Sequence, residues 1–234
     1  MKLIIITGIN RGLGEAFFNL LISKKDCLIV GVSRKITQVQ KELLEKEKFV
    51  FIQLDLSNLK NPSIALNIES YLGNVTEVIY INNAATIHPI NKIGSFKDNE
   101  IQNLMQLNTI SPLLITNYLF QVASDKKMTV INISSGAADL PIVGWSLYCA
   151  SKAANEMFYK TLEAQEKENE NVKVVNIDPG VMNSGMQKLI RDTDEYIFPR
   201  VKDFIKLKEE HKLLSTSEVA KRIIVESNLL NDIT

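Results

Sequence analysis

The chain alternates between two kinds of apolar pattern. Short continuous runs at 2–7, 27–32, 49–54, 75–82, 129–134 and 172–177 are rich in Ile and Val and lack polar alternation. Strands covered on both faces, as in a parallel sheet, have that pattern. Between them lie longer stretches with helical spacing, such as 38–47, 101–124 and 151–168, long enough to be the crossover helices that parallel strands require. This repeated alternation predicts one α/β domain over 1–234, a doubly wound parallel sheet with helices on both faces. Ligands of such sheets sit beyond the carboxyl ends of the strands. The residues that follow each run are therefore the ones to read for chemistry.

Composition narrows the classes of function. With 45% hydrophobic and 23% charged residues in 234, collagen, coiled coil and wholesale disorder are excluded. Lys and Arg (27) balance Asp and Glu (27), whereas a nucleic-acid binder carries a basic excess, so no nucleic-acid partner is expected. Two cysteines, Cys27 and Cys149, are too few for a disulfide framework or a zinc cluster, and no metal site is expected. Met1-Lys2 leads straight into the first run, leaving no room for a signal peptide, and no run approaches the ~20 apolar residues of a membrane span. A cytoplasmic protein with no membrane partner is the expectation.

The first run ends in Thr7-Gly8-Ile9-Asn10-Arg11-Gly12-Leu13-Gly14, followed by an apolar helix. Gly8 permits a tight turn, Gly12 lets backbone approach a phosphate, and Gly14 lets the helix pack close to the sheet. With the free N–H groups of the helix start, this is a dinucleotide site, or else an ordinary βα turn. At the end of the second run, where an NAD site carries an acid for the ribose 2′-hydroxyl, the chain reads Ser33-Arg34-Lys35. Arg34, with Arg11 opposite, suits the 2′-phosphate of NADP; the bland alternative is a solvated basic turn. Asp55-Leu56, after the third run, would hold the adenine through the Asp55 carboxylate, or Asp55 is a turn cap.

Of six tyrosines, only Tyr148 has a lysine four residues on, Lys152. That spacing puts both on one helical face, where an ammonium favours the ionised phenol and makes it a usable acid/base group. Ser134 and Ser135 close the fifth run, Asn82-Asn83-Ala84-Ala85 the fourth and Asp178-Pro179-Gly180 the sixth. All converge on one edge of the sheet.

With these elements in this order, the chain resembles a short-chain dehydrogenase/reductase over nearly its whole length: the glycine turn at 7–14, Asn-Asn-Ala at 82–84, Asn108, Ser135, Tyr-(x)₃-Lys at 148–152 and Pro-Gly at 179–180. The resemblance implies a Rossmann fold binding NADP(H) and a small-molecule carbonyl substrate. It implies Tyr148 as proton donor, Ser135 holding the carbonyl oxygen, Lys152 lowering the Tyr148 pKa and bonding the nicotinamide ribose, and Asn108 anchoring a water in the proton relay. It assigns Gly8, Asn10, Arg11, Gly12, Leu13, Gly14, Arg34, Asp55, Leu56, Asn83, Pro179, Gly180, Val181 and Ser184 to the cofactor, and a homodimer or tetramer to the assembly. The stretches 144–149 and 179–187 resemble sepiapterin reductases and bacterial benzil reductases most, implying NADPH-dependent reduction of bulky aromatic ketones or diketones. Trp145 and Met186, with Met182, Tyr196 and Phe198, are then expected to supply apolar pocket surface beside Ser135 and Tyr148; the alternative is packing within a lid at about 185–212. Other family ketones, including 3-oxoacyl thioesters, remain open, and a non-catalytic NADP(H) redox sensor is the rival from another class. Departures from the family pattern are Ala85 for glycine, Ser184 for threonine, and a carboxyl end in which Asp232 is the one candidate for the pterin-binding acid of sepiapterin reductases.

Overall fold

The computed structural model describes residues 1–229; Asp232 lies outside them. Six strands form one parallel sheet: β1 (Lys2–Thr7), β2 (Cys27–Ser33), β3 (Val50–Gln53), β4 (Glu77–Asn82), β5 (Lys127–Ile133) and β6 (Val172–Ile177). Their order is β3-β2-β1-β4-β5-β6, so the chain starts in the middle, winds outward to β3, and returns past β1 to β4. Parallel pairing sets Ile4 beside both Ile29 of β2 and Ile79 of β4. The reversal of winding between β1 and β4 opens a crevice at the carboxyl edge, because the two following connections leave on opposite faces.

Both faces of each central strand are apolar, which accounts for the unbroken runs in the sequence. Leu3 and Ile5 enter one core, with Ile115, Leu119 and Tyr159. Ile4 and Ile6 enter the other, with Phe17, Phe18 and Ile223. The first core is covered by α5 (Ser111–Val122) and α6 (Ser146–Gln165), and the second by α1 (Gly12–Leu21) and α9 (Thr216–Glu226). Each fully buried Ile, Leu or Phe contributes about 1.5–3 kcal/mol through removal from water, so the sheet is held from both sides. Two short helices complete the inner connections, α2 (Gln38–Glu45) and α3 (Pro62–Leu66). A third cluster lies beyond the sheet edge, beneath α7 (Gly185–Arg191) and α8 (Val201–Glu209).

The helix expected over 101–124 is observed over 98–122, with one irregularity: α4 (Asp98–Met105) passes through a π turn over Gln106–Ile110 into α5 without leaving the helical conformation. Pro112 explains part of the widened turn: it has no N–H for the carbonyl four residues earlier, that of Asn108. That carbonyl accepts a hydrogen bond from Asn155 Nδ2 of α6 instead. The sequence pattern registered the apolar spacing and not the change of winding.

Candidate active site

The carboxyl ends of β1, β4, β5 and β6 form a cleft of about 450 Å³. At one end is the turn from β1 into α1. Gly8 and Gly12 both have positive φ, 76° and 61°. A β-carbon on Gly14 would fall 2.2 Å from the Gly8 carbonyl oxygen and 2.5 Å from Asn83 Nδ2, so glycine is required there for helix-to-strand contact. A β-carbon on Gly12 would meet no atom within 4 Å. It would stand in the open cleft, at the end of a helix with no side-chain cap on its first N–H groups. A diphosphate fits such a cradle.

Asn83 ties this turn to the centre of the sheet. Its Nδ2 donates to the Thr7 carbonyl (2.8 Å), while Thr7 Oγ1 accepts from the backbone N–H groups of Asn83 and Ala84 (3.0 Å each). Thr7 is fully buried; sequence reading treated it only as the residue before the glycine.

At the end of β2, Ser33 turns its hydroxyl onto the Lys35 carbonyl (2.6 Å), and no acid stands at this strand's end. Arg34 and Asp55 both line the cleft. Asp55 Oδ1 accepts from Ser57 N–H (3.0 Å) and hydroxyl (2.8 Å), capping the turn at Leu56–Asn58. Its Oδ2 is 4.0 Å from Arg34 Nη1. The cap thus engages one carboxylate oxygen, and the other faces an exposed arginine that such a loose pair holds weakly.

At the other end stand Tyr148 and Lys152, both buried on α6 and both lining the cleft. Lys152 Nζ donates to the Ile133 carbonyl at 2.7 Å. Burial pushes its pKa down to about 8, opposed by the carboxylates of Asp178 and Glu156. Burial pushes the Tyr148 phenol up to about 12, against a hydrogen bond with the Ser135 side chain that pulls it down, while the charge of Asp178 pushes it further up. The expectation that Lys152 lowers the Tyr148 pKa is therefore corrected for this structure. The ammonium is turned onto the β5 backbone, 5.9 Å from the phenol ring centroid, and desolvation of the phenol outweighs it. The phenol keeps its proton at neutral pH.

The two adjacent serines divide their tasks. Ser134, though it lines the cleft, donates its hydroxyl to Glu156, which also pairs with Lys160 at 2.8 Å. Ser135 caps a short turn, accepting from the Ala137 N–H (3.2 Å), and its side chain pulls the Tyr148 pKa down. Of the two carboxylates acting on Lys152, Glu156 was missed in the sequence, and Asp178 was read only as the end of the sixth run. Glu156 lies four residues beyond Lys152, a same-face spacing that could have found it. Asn108 spends its side chain on the Thr86 backbone (2.8 and 2.7 Å) and on Ser151 (3.1 Å), bracing the loop after β4 against α6.

Several expected residues lie elsewhere. Trp145 is not at the cleft wall: it is buried and stacked on Phe198, itself fully buried. Tyr196 is 76% exposed, with Lys92 Nζ 3.3 Å from its ring centroid. The segment before and within α8 folds back as a cover: Phe198 is consumed with Trp145 in its packing, while Tyr196 stands on its outer surface. Met182 and Met186 do line the cleft, with Ile87 and Leu189. Of the expected cofactor residues, Gly8, Asn10, Arg11, Gly12, Leu13, Leu56, Asn83, Pro179 and Ser184 line it as well. Gly14 stands behind the turn, and Gly180 and Val181 lie at the surface. Glu100, Asn103, Leu104 and Leu107 also face the cleft from α4 and the π turn, one helical stripe whose spacing was readable and whose destination was not. Among the described residues no group of three or more His, Cys, Asp or Glu is arranged to hold a metal, and no helix is long and apolar enough to cross a membrane.

A doubly wound sheet with a glycine-lined phosphate cradle at its switch point, and a tyrosine–lysine pair opening on the same cleft, defines a nicotinamide-nucleotide-dependent oxidoreductase of the α/β class. The chain belongs to the short chain dehydrogenase family, whose family model matches residues 2–195. It is 34% identical to a benzil reductase ((S)-benzoin forming) of Bacillus cereus over 95% of this chain and 92% of that one. It is 30% identical to the sepiapterin reductase of Mus musculus, over 94% and 89%. Among solved structures, the KRED1-Pglu enzyme superposes with a TM-score of 0.83 at 26% identity, covering 99% of this chain and 95% of that one.

Proposed function

We propose that this protein is an NADPH-dependent carbonyl reductase acting on a ketone or diketone with bulky apolar, benzil-like substituents. One observation carries the reading: Tyr148, its phenol pushed up in pKa by burial, lines a cleft whose adjoining wall is Ile87, Met182, Met186 and Leu189. Such a wall favours aromatic surface over a charged acyl carrier. The likeness to benzil reductases supports the same substrate class.

The residues present fit the nucleotide. The 8–14 turn and the start of α1 suit its diphosphate, Arg34 and Arg11 its 2′-phosphate, and Leu56 with the Asp55 oxygen that the cap leaves over its adenine. Asn83, Lys152 and the backbone at 179–184 suit the nicotinamide end. When bound, the reduced nicotinamide supplies the hydride. Ser135 and Tyr148 hold the substrate carbonyl oxygen, and Tyr148 gives it a proton, a step worth about 10²–10⁴ in rate. Lys152, held on the Ile133 carbonyl, keeps a cation near that oxygen as charge develops. Asn108, with its side chain on Thr86 and Ser151 and its carbonyl on Asn155, braces the loop after β4 against α6 beside Tyr148.

The test follows NADPH oxidation by absorbance with benzil, sepiapterin and an acetoacetyl thioester, for the native protein and Tyr148→Phe. Benzil turnover lost by at least about a hundredfold in the variant, with NADPH affinity retained, is the expected result. Preference for the thioester would replace the substrate class. Tight NADPH binding with no turnover of any carbonyl would favour a redox sensor.

A further inference from the structure

We propose that Trp145 is a positioning residue that clamps the cover formed by α7 and α8 to the start of the catalytic helix, fixing the apolar wall of the cleft beside Tyr148. The inference rests on the reading of Tyr148 as the proton donor. Trp145 occupies the residue before α6, three positions ahead of Tyr148. Its face lies on Phe198 of the cover at 4.8 Å between centroids and 7° between planes. Phe204 of α8 meets its edge at 5.5 Å, and Tyr148 lies at 6.0 Å in an edge arrangement of 88°. One indole thus touches the cover on one side and the catalytic phenol on the other. Its Nε1 makes no hydrogen bond among the described residues, so the ring acts through packing.

The backbone makes the same attachment independently. Gly144 has φ +88°, and a β-carbon there would lie 2.8 Å from the Ile197 carbonyl oxygen. The cover therefore rests directly on the chain just before Trp145. Gly144 is itself held by the Asn91 N–H, 3.0 Å from its carbonyl. At its other end the cover is tied by Asn183 N–H to the Leu214 carbonyl, 2.9 Å. Between these ties hang Met186 and Leu189, which line the cleft. Losing the Trp145–Phe198 contact leaves that end of the cover to the Gly144–Ile197 backbone contact and loosens the segment that carries Met186 and Leu189. Bulky substrates, which press on Met186 and Leu189, will register the loss; small ones will not.

The experiment compares Trp145→Phe, Trp145→Ala, Phe198→Ala and the double alanine variant with the native protein. It reads KM and kcat for benzil and for diacetyl, and amide hydrogen exchange over α7 without ligand. Either alanine variant should speed α7 exchange and raise the benzil KM about tenfold while changing the diacetyl KM by less than about threefold. Trp145→Phe, which keeps an aromatic face, should restore most of the benzil KM. The double variant should lose less than the sum of the single losses, because both single variants remove the Trp145–Phe198 contact. Unchanged α7 exchange, equal losses for both substrates, or additive effects would overturn the clamp. If Trp145→Ala does not fold, Phe198→Ala decides from the other side of the contact. Failure of the native protein to turn over benzil would sink the substrate reading alone, since the exchange measurement judges the clamp without it.

Discussion

Replacing Lys152 by Met should make the protein more stable and inactive. Lys152 is wholly buried, and its pKa falls from the ordinary 10.5 to about 8. Holding the ammonium charged inside the fold at pH 7 therefore costs about 3 kcal/mol. Met has nearly the same length and no charge. It forfeits the charge-assisted bond to the Ile133 carbonyl, worth at least about 1.5 kcal/mol, which leaves a net gain of up to about 1.5 kcal/mol, or up to about 3–6 °C in Tm for a chain of this size. The pH dependence has a definite sign. Between pH 8 and 10.5 the unfolded lysine holds a proton that the folded one has released, so the stability of the native protein rises with pH by up to about 1.4 kcal/mol per unit. The variant lacks that rise, and its advantage shrinks as pH increases. Thermal unfolding of both proteins at pH 7, 8 and 9.5 measures the difference. A variant less stable than the native protein at pH 7, or a difference that does not narrow by pH 9.5, would refute the assignment of a buried, strained ammonium.

Two further outcomes follow from the nucleotide end. Arg34→Ala should weaken NADPH about tenfold while leaving NADH nearly unaffected, the low end of a charge-assisted contact because Arg34 is largely exposed; equal losses in titrations with both nucleotides would remove the 2′-phosphate role. Gly14→Ala, whose methyl carbon would fall 2.2 Å from the Gly8 carbonyl oxygen, should lower stability by about 1–3 kcal/mol through forced displacement of α1. Gly12→Ala meets open space and should lose about 1 kcal/mol of stability for its left-handed backbone, with a far larger loss of NADPH affinity. Calorimetry and nucleotide titration on the two variants separate these effects, and matching profiles would refute the distinction between packing glycine and cradle glycine.

The sequence alone determined the strands, because a strand buried on both faces must be apolar at every position: all six runs match β1 to β6 within two residues at each end. It also determined what local spacing controls, namely the Gly8–Gly14 turn and the shared helical face of Tyr148 and Lys152. Tertiary structure decided whatever depends on which surfaces meet. The aromatic character of Trp145 and Phe198 is plain in the chain, yet their burial against each other depends on a cover that folds back over α6. The direction of the Lys152 ammonium, the pairing of Ser134 with Glu156 and the rise of the Tyr148 pKa all follow from distances across the sheet edge and from exclusion of water. Spacing along one helix carries no information about either.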